Sequence, residues 1–220
     1  MARSEHIEVT KTGRYFIEGH LGHNTEEVWI VCHGYGYLAE FFIKHFTNLA
    51  SDTCCVIAPE GLNKFYKEGM GGEVGASWMT KSDRLIEIHD YINYLDQLLE
   101  MVLAEVERDA IKLNVLGFSQ GTATVCRWLT KGKVQADNLV IWAGEIPDDI
   151  DFEKFNQQFT NKPVQLVVGD NDEFISEQML EHFASFLRSK AINFELSRYE
   201  GGHKINEALL LEIAQGFRHS

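Results

Sequence analysis

Ser119 lies in the stretch LNVLGFSQGTATVCRWL (113–129), where an apolar run gives way to helix-forming sequence between Gly117 and Gly121. A strand that stops at Gly117 and a helix that starts near Gln120 leave this serine on a very tight turn. Two flanking residues without a Cβ let strand and helix approach closely around it. The pattern Gly-Phe-Ser-Gln-Gly therefore reads as a nucleophile elbow that pushes a hydroxyl into a cleft. The plainer reading is a strand-to-helix turn with Ser119 as its N-cap. A serine hydroxyl is a poor nucleophile until a base removes its proton, so the rest of the chain must supply a base, an acid and an oxyanion site.

An imidazole suits the first task. His203 follows the last strand-like run in YEGGHK, after two glycines that allow a loop to carry the ring over a sheet. The other histidine at the end of a predicted strand, His33, precedes the serine; the remaining seven fall in termini, turns or helices. The acid must orient the imidazole and stabilise its cation. Asp170 and Asp172 both follow VQLVVG, and Glu145 follows LVIWAG; elementary physics leaves all three open, with a turn-capping role for one of the aspartates. An oxyanion needs preorganised N–H donors. The residue after the serine, Gln120, offers one, and the HGYG loop (33–36) offers the Tyr35 N–H.

These groups need a scaffold that brings them to one edge. VWIVCHG (28–34), CCVIAPEG (54–61), LNVLGF, LVIWAG (139–144) and VQLVVGD (164–170) are uniformly apolar, as strands buried on both faces of a parallel sheet are. Helix-like sequence follows His33 as far as Ala50, and a long helix spans about 81–108, with Thr80 and Asp83 as its capping box. Further helices are expected over 177–189 and after Lys204. NFELSRYE (193–200) alternates as an edge strand does, and IEVTKTGRYFIE (7–18) reads as a hairpin. Alternating strands and helices without repeats or low-complexity linkers make a doubly wound, mostly parallel α/β domain covering 1–220. In such sheets ligands bind at the carboxyl ends of the strands, where Ser119, the three acids and His203 all fall.

GFSQG, HGYG, GDNDEF and GGH, in this order, resemble the α/β-hydrolase superfamily. From about Val28 onward the chain is similar to the phospholipase/carboxylesterase family, which includes the acyl-protein thioesterases. The spacing is similar too: 53 residues from Ser119 to Asp172 and 31 from there to His203. The resemblance implies the α/β-hydrolase fold, hydrolysis of carboxylic esters or thioesters without metal or other cofactor, and a triad of Ser119, Asp172 and His203. It puts the oxyanion donors on Tyr35 and Gln120. The chain departs from the family where a proline commonly follows the acid, here Glu173, and where valine-proline comes further on, here Ile175-Ser176.

Two competing readings have their own residues. Gly34-x-Gly36-x-x-Ala39 could open a dinucleotide-binding loop, with Glu60 holding a ribose, but this leaves GFSQG and His203 without a role. A binding protein on a decayed hydrolase fold would lack a triad member, and every role here is filled. His20 and His23 form no ligand cluster with cysteines or carboxylates. KFYKEGMGGEVGASWM (64–79) lacks the Gly-Lys-Ser/Thr of a phosphate loop. Long loops at the catalytic edge tend to be functional, so residues 62–80 read as a flap, with Phe65, Met70 and Trp78 lining an acyl pocket.

The composition sets the surroundings. With 220 residues, 45% of them apolar, the chain can bury one sizeable core. A net charge of −13 argues against nucleic acid and anionic membrane surfaces as partners. Cys32, Cys54, Cys55 and Cys126 form no CxxC pair and read as buried hydrophobes. No leader-like or membrane-length apolar segment is present, so the expected setting is the cytoplasm, with a small ester or thioester as partner. Oligomeric state is not legible.

Overall fold

A computed structural model describes residues 2–69 and 71–219. Seven strands form the main sheet: β1 Tyr15–Glu18, β2 Glu27–Cys32, β3 Cys54–Pro59, β6 Lys112–Phe118, β7 Asn138–Trp142, β8 Val164–Gly169 and β9 Phe194–Tyr199. Their order is β1-β3-β2-β6-β7-β8-β9, all parallel except β1, which runs antiparallel to β3. The two remaining strands, β4 Asn63–Tyr66 and β5 Val74–Ser77, pair as a separate antiparallel hairpin. The helices are α1 Ala39–Phe42, α2 Arg84–Leu103, α3 Gln120–Lys131, α4 Phe152–Gln158, α5 Glu177–Ser189 and α6 Glu207–Arg218.

The continuous apolar runs are explained by a sheet covered on both sides. Along β2, Val28, Ile30 and Cys32 pack with α2 and α3, while Trp29 and Val31 pack with α1 and α6. Along β7, Leu139 and Ile141 join the first cluster, and Val140 and Trp142 the second. Side chains on a strand alternate faces, so a strand between two helical layers has no solvent side to make polar. All four cysteines are buried free thiols within these layers.

Three local expectations differ from what forms. Residues 7–18 make no hairpin: 2–14 carry no regular structure, and β1 docks on β3 with Tyr15 opposite Pro59 and Glu18 opposite Val56. An isolated two-stranded hairpin is marginal, and the open edge of β3 offers a sheet already built. The helical sequence after His33 is brief, with α1 running straight into a 3₁₀ turn at Ile43–Phe46. At the start of α2, Asp83 is left-handed (φ 49°, ψ 31°) and makes no side-chain cap. Thr80 turns instead to Glu87 on the first turns of α2, which binds its N–H and hydroxyl and also accepts from Asn63 on β4, 2.8 Å away. The failed capping box is thus a tie between the hairpin and the helix.

Candidate active site

The turn at Ser119 answers for its neighbouring glycines. A Cβ on Gly121 would come 2.1 Å from the Cys32 carbonyl oxygen, and one on Gly117 would come 2.5 Å from the Thr122 Cα. Gly144, past the end of β7, is confined in the same way, 2.6 Å from the Ser119 carbonyl oxygen. Ser119 itself holds φ 53° and ψ −118°, a conformation L-residues avoid and which costs on the order of 1–3 kcal/mol. Its hydroxyl makes no cap bond to α3, so the N-cap reading does not apply. The backbone strain is of the kind an elbow carries, and among the described residues the Ser119 hydroxyl bonds no group, the His203 imidazole included.

The histidine loop reaches the residue before this serine from β9, its imidazole against the Phe118 ring. The His203 Nδ1 lies 2.8 Å from Asp172 Oδ2, and the Asp172 side chain is fully buried. A carboxylate only accepts, so Nδ1 donates, and in the neutral ring the lone pair falls on Nε2. Phe118, the residue before Ser119, packs on the imidazole with ring centroids 4.9 Å apart, and Phe174 meets it edge-on at 4.8 Å. Below, the Tyr199 hydroxyl lies against the Gly202 and Lys204 carbonyls, and Trp142 Nε1 donates to Lys204 at 3.0 Å.

The three acids left open by the sequence have different surroundings. Asp172 both caps its turn and meets the imidazole: Oδ1 accepts the N–H groups of Phe174 (2.8 Å) and Ile175 (3.2 Å), leaving Oδ2 for His203. Asp170 turns away to Arg198 at 2.7 Å, in an exposed network with Glu177. Glu145 is exposed and bonds no histidine. Glu173, where the chain departs from the family pattern, accepts the main-chain N–H of His203 at 3.2 Å.

On the other flank, residues 34–37 bend beside the hairpin. Gly36 N–H donates to Ala76 at 2.9 Å, and Ala76 N–H returns a bond to Tyr37 at 3.1 Å. Gly36 has φ +77°, and Gly75 is pressed against it, a Cβ there falling 2.7 Å from the Gly36 oxygen. The Tyr35 N–H is given to no group among the described residues. The Gln120 N–H is the first amide of α3, one of the four that a helix leaves unpaired. The Gln120 side chain reaches across to the hairpin, donating to the Met79 carbonyl (2.8 Å) and accepting from Trp78 N–H (3.2 Å).

The expected flap is therefore a β-hairpin with a glycine-rich exposed tip, bonded at its base to the loop of Tyr35. The Phe65 ring stacks on Tyr35 at 5.0 Å. Trp78 does not sit where an acyl pocket would end. Its indole is wholly buried under the Tyr35 loop, edge-on to Tyr91, with Nε1 donating to the His33 carbonyl at 2.8 Å. The Gln120 bonds fix the chain at Ser77 and Trp78, which turns that side chain inward. Met70 lies outside the described residues. A small apolar hollow of about 20 Å³ that the sequence did not point to lies between β7, β8 and α5, lined by Ile141, Gly144, Leu166, Ile175, Met179 and Phe183. Its residues are dispersed along the chain, so no local pattern announces it.

His33 and Glu60 prove to be supports. Buried His33 accepts the Gly61 N–H on Nε2 (2.9 Å) and donates from Nδ1 to Gly34 (2.8 Å), tying the ends of β2 and β3 together. Burial pushes this imidazole down to about 4. Glu60 binds Arg14 through both oxygens (2.9 and 2.8 Å), Lys64 at 3.0 Å and the Ala39 N–H at 3.1 Å. Burial raises its carboxyl, and the bonds to Arg14 and Lys64 outweigh that and hold it below the usual range. A carboxylate so engaged is not free for a ribose, which removes the partner that the dinucleotide reading needed. Among the described residues, no three of His, Cys, Asp or Glu gather as metal ligands do, and no helix is long and apolar enough to cross a membrane.

A family model described as Phospholipase/Carboxylesterase matches residues 20–218. Solved structures share the fold at low identity. The Zea mays acyl-protein thioesterase 2 is 18% identical with a TM-score of 0.70, over 94% of this chain and 99% of that one. The Bacillus cereus carboxylesterase is 12% identical with a TM-score of 0.63, over 94% of each chain. A phospholipase/carboxylesterase from Dyadobacter fermentans is 15% identical with a TM-score of 0.62, over 96% and 98%. No curated protein matches the chain.

Proposed function

The chain belongs to the phospholipase/carboxylesterase family, and from that premise we propose that it is a serine hydrolase of carboxylic esters or thioesters. In this reading Ser119 is the nucleophile, His203 the general base and Asp172 the acid. The observation that carries it is the 2.8 Å contact between His203 Nδ1 and Asp172 Oδ2, with the imidazole packed on Phe118, the residue before the strained Ser119.

His203 Nε2 takes the hydroxyl proton as Ser119 attacks the carbonyl carbon, and Asp172 steadies the resulting imidazolium. The Tyr35 and Gln120 N–H groups receive the oxyanion. Collapse expels the alcohol or thiol, protonated by His203, and leaves an acyl-enzyme that water hydrolyses by the same steps reversed. No cofactor enters this scheme, and chelator-insensitive turnover is its corollary. The apolar stack of Tyr35 and Phe65 beside the proposed oxyanion site supports small to medium uncharged acyl groups as substrates. The cytoplasmic assignment is supported by four buried thiols left unpaired, as a reducing compartment leaves them.

Two measurements test this reading together. A serine-directed fluorophosphonate should label the wild type and not Ser119→Ala. A p-nitrophenyl ester panel from acetate to decanoate should be hydrolysed by the wild type alone, with kcat/KM rising along the series and then breaking. Undiminished turnover by Ser119→Ala would end the proposal.

A further inference from the structure

His203 follows two glycines, Gly201 and Gly202, which give the loop no side chains with which to anchor itself. Asp172 fixes one ring nitrogen, but a ring can be fixed only as well as the backbone that bears it. The His203 main-chain N–H has one partner, Glu173 Oε2 at 3.2 Å. The same carboxylate oxygen lies over Gly202, where a Cβ would come within 3.2 Å of it. The neighbouring Asn171 N–H donates to the Gly201 carbonyl at 2.9 Å, and the Phe174 ring meets the imidazole edge-on.

We propose that Glu173 is a positioning residue for the hydrolysis: it clamps the main chain of His203 while Asp172 orients the ring, and its charge favours the imidazolium that forms when Ser119 gives up its proton. This rests on the reading of His203 as general base. Residues 172, 173 and 174 thus hold His203 at a ring nitrogen, the main-chain nitrogen and the ring edge.

The charges facing His203 are few. Asp172 and Glu173 approach from the loop after β8. On its own segment Lys204 lies with its Cε over Gly201, and Tyr199 spends its hydroxyl on two carbonyls. The β6–α3 side presents Phe118 and the neutral Ser119. Bonds from its own main-chain N–H and from that of His203 hold the Glu173 carboxyl below the usual range, so it stays ionised through the pH interval of interest.

Glu173→Ala removes bond and charge, whereas Glu173→Gln removes the charge and keeps an oxygen that accepts the His203 N–H. Glu173→Ala is expected to lower kcat about tenfold, as loss of alignment does, with KM within about twofold. Glu173→Gln should recover most of that kcat. In both, the rising limb of kcat/KM should move to lower pH by about 0.3–0.5, the scale of a lost charge a few ångströms away in a solvated site. The urea midpoint should stay at the wild-type value. Wild-type kcat and pH profile in both variants would overturn the proposal, as would a loss confined to KM or one that tracks a fallen urea midpoint. His203→Ala separates the two levels. If it stays active, the underlying mechanism fails; if it is dead while the Glu173 variants are silent, the clamp alone fails.

Discussion

On the β2 side of Ser119 the Tyr35 loop is fixed by main-chain bonds to β5 and by the buried indole of Trp78 beneath it. On the β8–β9 side one main-chain bond, Asn171 N–H to Gly201, joins the loops of Asp172 and His203, the carboxylates of Asp172 and Glu173 hold the histidine itself, and Phe174 above them is 64% exposed. The first flank has one task in the proposed mechanism, to hold a backbone N–H where negative charge develops, and a rigid backbone cradle suits it. The second must let an imidazole gain and lose a proton, so its holding groups are charged and placed atom by atom. Substitution should therefore damage the two flanks differently: chemistry with the fold intact on the histidine side, fold first on the Tyr35 side.

The largest effect expected along this contrast is at Asp172. Asp172→Asn should lower kcat by about 10⁴-fold, as replacing the acid of a serine triad does. Asp170→Asn, which cuts a surface bond to Arg198 at 2.7 Å, should leave kcat within about threefold, since exposed ion pairs contribute about 1 kcal/mol or less. Steady-state kinetics on the two variants decide it. The reverse ranking would move the acid to Asp170 and dissolve the distinction between the flanks.

Next in size is Trp78. Truncating a wholly buried indole costs about 3–5 kcal/mol, and the His33 carbonyl loses its donor as well. Trp78→Ala should fall by that much in urea unfolding. The milder Trp78→Phe should keep the break in the acyl-chain series at the wild-type length, because the ring lies beneath the Tyr35 loop. A break that moves to longer chains in Trp78→Phe would return the indole to the end of the pocket.

What could be read from the residues, and what could not, follows the same division. The Ser119 elbow was legible because its cause is local: Gly117 and Gly121 lie within two residues of it, and each meets backbone that excludes a Cβ. The strands were legible because burial on both faces leaves an unbroken apolar run. Asp172 against Asp170 was not, because both follow the same strand, and the choice depends on how one turn directs each carboxylate: one to His203 after β9, the other to Arg198 on it. The place of Trp78 was hidden too. Its main chain is fixed by Gln120, 42 residues away, and glycines around 69–75 masked the short strands that turn it inward. The hairpin expected at 7–18 failed for a related reason, since the partner of Tyr15–Glu18 is Val56–Pro59.

The smallest effect expected belongs to His33, the buried support of the Tyr35 flank. In the folded protein burial pushes this imidazole from its ordinary 6.5 down to about 4, against weaker opposition from the Gly34 carbonyl and Glu60. Between those values the unfolded chain binds a proton there and the folded one does not. Stability at this residue is therefore complete above pH 6.5, falls as the pH drops, and levels off below about 4, where both states are charged. The whole change amounts to at most about 3–4 kcal/mol, since each tenfold loss of proton affinity corresponds to about 1.36 kcal/mol. Carboxylates add their own acid dependence, so the test is a difference. Urea midpoints of the wild type and His33→Gln should converge as pH falls from 7 to 4.5, because glutamine carries no proton to be expelled by folding. Glutamine will lower the midpoint at neutral pH through imperfect packing, and that offset does not matter, since only its pH dependence is read. Parallel curves would mean that the imidazole is charged inside the fold or hydrated on folding, and that the Tyr35 flank is not the dry, backbone-bonded cradle that sets it apart from the histidine side.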